Sequence, residues 1–206
     1  MTLISVLSIP LGYLIGSFSP SYFLGKWLKG IDIREHGDGN AGGTNAYHVL
    51  GLKAAIAVII IDVSKGLLAV GMASLLGTSP LFVHLAGAAA VAGHVFPFYL
   101  SFRGGKGIGT AIGIMAYYFY QMISHKWISL YLFLIFIAVL VVIHLIIQKK
   151  EVLGIIALPL LLILVLVSAP INLITVFTGI YIVYISFMNI ILNVLKLWRR
   201  DTAAQP

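Results

Sequence analysis

Charge is confined to a few short segments of this chain, and the stretches between them are long and apolar enough to cross a bilayer. Only 9% of the 206 residues are charged and 61% are hydrophobic, and mean hydropathy is +1.08. A soluble domain carries about a quarter charged residues, so this chain cannot cover a water-facing surface. The pattern predicts an all-α integral membrane protein, a single membrane domain over residues 1–206. A span needs roughly 20 mostly apolar residues. Seven transmembrane helices are predicted, over 3–24, 53–77, 80–100, 108–123, 128–147, 152–169 and 171–191. The first stretch lacks a basic leading region and reads as a span, not a cleaved signal.

Basic residues set the orientation. Lys26, Lys29, Arg34 and Lys53 surround the first connection, Arg103 and Lys106 the third, Lys149 and Lys150 the fifth, and Lys196, Arg199 and Arg200 close the chain. The alternate connections at Thr78–Ser79 and Ala169–Pro170 carry no charge, and Ser124–Trp127 carries only Lys126. The N-terminus is therefore expected outside and the C-terminus in the cytoplasm. The formal charge of +7 is that of a membrane protein with basic cytoplasmic loops, and no nucleic-acid partner is implied. Cysteine is absent, which excludes disulfides, thiolate nucleophiles and Cys-based metal sites. The histidines lack metal-ligand spacing such as HExxH and carboxylates are few, so no metal and no cofactor is expected.

Two glycine-rich segments interrupt the apolar pattern on the expected cytoplasmic side, HGDGNAGGTN at 36–45 and FRGGKGIGT at 102–110. Glycine lets backbone N–H groups approach a ligand, and successive N–H groups in tight turns form anion-binding concavities. In the first segment, Asn40, Thr44 and Asn45 offer side chains to a hydroxyl or a phosphate oxygen. GDGNAG formally fits GxGxxG, but that fingerprint needs a preceding strand in a βαβ unit, and here the flanks are membrane helices. The second segment lacks the Walker A spacing. It does place glycine amides, Lys106 and a helix start together, which favours a phosphate. Asp62 and Lys65 lie three apart on one helix face inside a span. They read as an internal ion pair, with a proton or substrate path as the open alternative. His94 reads as a polar anchor to a neighbouring helix.

Together these segments resemble the PlsY family of bacterial membrane acyl-phosphate:glycerol-3-phosphate acyltransferases. The matching pieces are Gly16–Ser17, the D-x-R at Asp32–Arg34, the G-x-G-N-x-G-x-T-N from Gly37 to Asn45, D-x-x-K-G from Asp62, G-H-x-F-P from Gly93 and F-x-G-G-K-G from Phe102. The resemblance implies acyl transfer from acyl phosphate to the 1-hydroxyl of glycerol 3-phosphate, giving lysophosphatidic acid for phospholipid biosynthesis in the bacterial cytoplasmic membrane. It implies no protein nucleophile, membrane lipid around a monomer, and catalytic roles for Lys106, His48 and Asn193. Asp38, Asn40, Gly42, Thr44, Asn45, Gly104, Gly105 and Gly107 would bind substrate or phosphate. Asp38 stands where the family usually has Ser, and His48 where it has Arg. Aligning Asn193 with the Asn of a C-terminal R-H-x-x-N puts Asn189 and Ile190 at its Arg and His. These changes favour an alternative, a PlsY-like protein of little or no activity that binds a phosphorylated lipid precursor or a partner enzyme.

Overall fold

The computed structural model describes residues 2–129, 131, 134–135, 138–139 and 150–203. Among them the regular elements are helices: α1 (Leu3–Ser17), α2 (Pro20–Lys29), α3 (Gly43–Leu50), α4 (Leu52–Leu75), α5 (Pro80–Val95), α6 (Ile108–Ser124), α7 (Lys150–Ser168) and α8 (Leu173–Ala203), with 3₁₀ turns at Ile33–Glu35 and Phe98–Leu100. The predicted span over 128–147 falls largely outside the described residues. Among the described residues three stretches are long and apolar enough to cross a membrane, Leu3–Lys29, Leu52–Leu75 and Pro80–Leu100. The chain folds as two compact units, Met1–Tyr117 and Tyr118–Pro206.

In the first unit α1 packs along α5 through small residues. Gly12 and Gly16 lie against the backbone at Ala86 and Ala90, and both alanines are fully buried. Small residues four apart let helix backbones approach closely where lipid supplies no hydrophobic drive. A Cβ on Gly16 would fall on the Ala90 carbonyl. Gly16→Val should therefore push α1 off α5 and cost about 1–3 kcal/mol, the usual range for overpacking. An unchanged thermal midpoint in detergent would contradict this packing.

The first predicted span is not one continuous helix. α1 ends at Ser17, Phe18 and Ser19 are extended, and α2 restarts with Pro20 at its first turn. The cause is Pro20, which has no N–H to give and disfavours helical geometry at Ser19. A broken ladder inside an apolar layer needs other partners, and two side chains supply three bonds. Lys65 Nζ donates to the Phe18 carbonyl at 2.8 Å. The Tyr99 hydroxyl donates to the Ser17 carbonyl at 2.9 Å and accepts from the Ser19 N–H at 3.0 Å.

The long polar connection 30–51 is also more regular than a loop, because its second half winds into α3. It is pinned by an apolar plug in which Ile33 packs with Ala46 of α3 and Ala55 and Val58 of α4, with Leu24, Val49 and Leu50 around them. Full burial of a side chain such as Ile33 contributes roughly 1.5–3 kcal/mol. In the second unit Asn172 caps α8, its Oδ1 accepting from the N–H groups of Ile174 (2.9 Å) and Thr175 (3.2 Å). α8 runs on past the predicted end of the last span, through the basic C-terminal residues.

Candidate active site

The two glycine-rich segments meet in the first unit, at the ends of α4, α5 and α6. In the first segment Gly37 has a left-handed φ of +64°, which glycine adopts without strain. Asn45 organises this turn from within. It is fully buried, its Nδ2 donates to the carbonyls of Ile33 and His36 at 2.9 Å each, and its Oδ1 accepts from the Asp38 N–H at 3.0 Å. Both donors and the acceptor of its amide are thus engaged by the loop, so Asn45 holds the turn together from within.

The other first-segment residues lie nearer the surface. Asp38 is exposed, and its Oδ1 accepts from the Asn40 N–H at 3.0 Å. This is an i to i+2 side-chain turn, which Asp makes well and Ser more weakly. Asn40 is half-buried and Gly42 is the buried residue that opens α3. α3 buries Asn45 and Ala46 and exposes Thr44, Tyr47 and His48. Thr44 and His48 are four apart and share a face.

The second segment caps α5. The last carbonyls of a helix have no partner within it, and here those of His94, Val95 and Phe96 find partners elsewhere. Gly104 N–H donates to the Val95 carbonyl at 3.0 Å and Gly105 N–H to the His94 carbonyl at 3.1 Å. The Tyr13 hydroxyl donates to the Phe96 carbonyl at 2.7 Å. The amides of Gly104 and Gly105, expected to hold a phosphate, are thus bonded to the end of α5 in this fold. Their N–H groups point inward, because Pro97 ends the helix and the segment folds back over it. Half-buried Lys106 follows directly. Buried Gly107 accepts the Ala111 N–H at 2.9 Å through its carbonyl, so α6 starts there. The first-turn N–H groups of α6 have no intrahelical acceptor, and the positive end of its dipole lies beside Lys106.

Beneath these segments lies a buried charged cluster. Lys65 Nζ is 2.9 Å from Asp62 Oδ1, and His94 Nδ1 is 3.4 Å from the same oxygen. All three side chains are nine-tenths or more buried. Gly109 at the start of α6 lies on the Asp62 side chain, and Gly105 lies against the His94 ring and the Ala41 carbonyl. The cluster thus reaches both segments, joining α4, α5 and the α1–α2 break. Among the described residues no group of His, Cys, Asp and Glu is placed to hold a metal ion.

A family model described as glycerol-3-phosphate acyltransferase matches residues 6–200. The chain belongs to the glycerol-3-phosphate acyltransferase family. The Bacillus subtilis (strain 168) glycerol-3-phosphate acyltransferase is 47% identical over 132 residues, covering 61% of this chain and 67% of that one. Its Shouchella clausii (strain KSM-K16) counterpart is 49% identical over 115 residues, 54% of this chain, so the match spans little more than half (55%) of that relative's length. The crystal structure of PlsY, an integral membrane glycerol 3-phosphate acyltransferase, in its glycerol 3-phosphate form aligns with a TM-score of 0.67 at 27% identity. It covers 98% of this chain and 99% of PlsY.

Within this glycerol-3-phosphate acyltransferase fold, Asn193 belongs to α8 of the second unit, and its side chain lies outside the described ones, as does that of Asn189. One site-building residue escaped the sequence reading, Tyr99, which gives no signal beyond an aromatic near a span end. Arg34 was marked by its D-x-R spacing and as a basic residue of the first connection, without a role at the site. The hydrogen bond from the Arg34 guanidinium holds the Asp32 carboxyl below its ordinary range, and Asp32 in turn raises Arg34. The pair is charged at neutral pH.

Proposed function

We propose that this chain transfers a fatty acyl group from acyl phosphate to the 1-hydroxyl of glycerol 3-phosphate. The observation that carries the reading is the docking of the GGKG segment against the folded 30–51 segment, which puts Lys106 and the start of α6 next to the α3 loop. Family membership and the likeness to PlsY in its glycerol 3-phosphate form support it. Two anionic substrates call for fixed positive groups, and Lys106 and the α6 N-terminus supply them, with the His48 ring as a further hydrogen-bonding group. Thr44, on the His48 face of α3, offers a hydroxyl to the acceptor. The acceptor oxygen attacks the acyl carbonyl carbon, the carbon–oxygen bond to phosphate breaks, and inorganic phosphate leaves. The hydroxyl proton passes to a substrate phosphate. Charge held in place where it develops is electrostatic catalysis and needs no covalent intermediate.

The same reading places seven spans in a bacterial cytoplasmic membrane, as one domain and a monomer. Lipid surrounds it, the N-terminus is outside, and both glycine-rich segments are in the cytoplasm. Its support is the distribution of Lys and Arg along the chain and the apolar helices.

The test is purified protein with palmitoyl phosphate and labelled glycerol 3-phosphate. Lysophosphatidic acid is expected from palmitoyl phosphate and not from palmitoyl-CoA. A charge-assisted hydrogen bond contributes about 1.5–3 kcal/mol, so Lys106→Ala should lower the rate at subsaturating substrate by about 10- to 100-fold. Equal rates for wild type and Lys106→Ala would refute the role of Lys106. Turnover of palmitoyl-CoA instead would refute the donor.

A further inference from the structure

Arg34 belongs to neither glycine pattern, yet its side chain ties the two segments together. Its Nε and Nη2 make a parallel pair of bonds to the Asp32 carboxylate, at 2.9 Å to Oδ1 and 2.6 Å to Oδ2. With the fork held in that plane, Nη1 crosses to the other segment. It donates to the Leu100 carbonyl at 2.6 Å and the Arg103 carbonyl at 3.3 Å. The Tyr22 ring covers the guanidinium, 5.4 Å from its centroid.

The two carbonyls that Arg34 grips bracket Ser101 and Phe102. Both residues have left-handed backbones, with φ of +54° and +58°, which residues other than glycine seldom adopt. Two backbone bonds also hold this turn, Arg103 N–H to the Leu100 carbonyl and Phe102 N–H to the Pro97 carbonyl, each at 3.1 Å. The next residues in the chain are Gly104, Gly105 and Lys106. The orientation of Lys106 therefore depends on a turn in an unfavourable conformation that is closed from outside by the cation of the neighbouring loop. The pattern needs a guanidinium. An ammonium is a point charge without a planar fork, and cannot pair in two bonds with Asp32 while reaching both carbonyls.

We infer that Arg34 is a positioning residue for acyl transfer: pinned by Asp32, it closes the Leu100–Arg103 turn and thereby sets Lys106 against the 30–51 segment, without touching substrate. Its catalytic meaning rests on the acyltransferase reading, whereas the geometry does not.

The natural absence of cysteine allows a direct measurement. Spin labels on Glu35→Cys and Phe102→Cys, both at exposed positions, report the separation of the two segments without substrate. The parent should give one narrow distance distribution, and Arg34→Lys and Arg34→Ala should broaden it. An unchanged distribution in both variants overturns the clamp, whatever the activity of the chain. The second arm is a double-mutant cycle. Arg34→Lys alone should lower turnover about tenfold or more, as expected for small misplacement of a catalytic group. In a Lys106→Ala background it should cost almost nothing further, because it acts through Lys106. Additive losses would mean that Arg34 serves only general stability, and would overturn the proposal. An inactive parent would remove the acyltransferase reading and leave the distance measurement to decide the clamp. Arg34→Lys is the deciding variant if Arg34→Ala fails to fold.

Discussion

Lys65→Met is expected to destabilise the protein by about 3–5 kcal/mol, the cost of breaking a buried ion pair from one side. The substitution keeps most of the volume of the side chain and removes its ammonium. That ammonium contacts Asp62 at 2.9 Å and donates to the Phe18 carbonyl at 2.8 Å. Both acceptors lose that partner at once, and among the described residues Asp62 keeps the His94 ring at 3.4 Å. The carboxylate is as buried as the lysine, at 4% exposure each, so water cannot replace the lost charge cheaply. The measurement is the unfolding midpoint in detergent, read by intrinsic fluorescence. The double variant Asp62→Asn with Lys65→Met should recover much of the loss, since a neutral amide needs no counter-charge. If Lys65→Met alone unfolds like wild type, the pair is not what holds the α1–α2 break to α4. If the double variant is as damaged as the single, the Phe18 carbonyl matters more than the carboxylate.

The second large effect is catalytic. Gly105→Ala should lower turnover about a hundredfold while leaving the helices assembled. A Cβ at this position would collide with the His94 imidazole and approach the Ala41 carbonyl to 2.9 Å. Neither neighbour yields easily. The ring is held beside Asp62, and Ala41 is part of the folded first segment. The GGKG backbone must therefore shift, and Lys106 with it. A misplacement of about 1 Å can cost on the order of 10²-fold in rate. The check compares turnover with thermal midpoint in one preparation. A wild-type rate would show that the segments tolerate the shift. A collapsed midpoint would show that the cap on α5 fails before the chemistry does.

These two sites differ in how far the sequence disclosed them. The spacing of Asp62 and Lys65 marked a pair on one helix face, and local periodicity was enough, because both partners lie on α4. The helix limits of α4, α5 and α6 were legible for the same reason. What failed to show was every feature whose partner lies far along the chain. Gly104 and Gly105 look like amides offered to a ligand, and only the fold reveals that α5 ends with carbonyls in need of them. Asn45 looks like a substrate contact until its amide is seen to serve Ile33, His36 and Asp38. Arg34 finds two of its acceptors more than sixty positions away. Asp38 is the reverse case. As a sequence change it looks like a misplaced anion, and in the fold it makes the short-range turn that a hydroxyl would also make.

The hydroxyl of Tyr99 bonds to both sides of the gap in the first span, taking the Ser19 N–H and giving its proton to the Ser17 carbonyl. One phenol thus splices two helices whose combined length, Leu3–Lys29, is that of a single crossing. To the surrounding lipid the crossing is one apolar stretch, because the Ser17 and Phe18 carbonyls and the Ser19 N–H at the splice are all bonded within the protein. To the protein it is jointed, and the joint is fastened by a residue from the same turn that leads into the GGKG segment. Any movement of that turn is therefore passed to the first crossing through a side chain that hydropathy cannot detect.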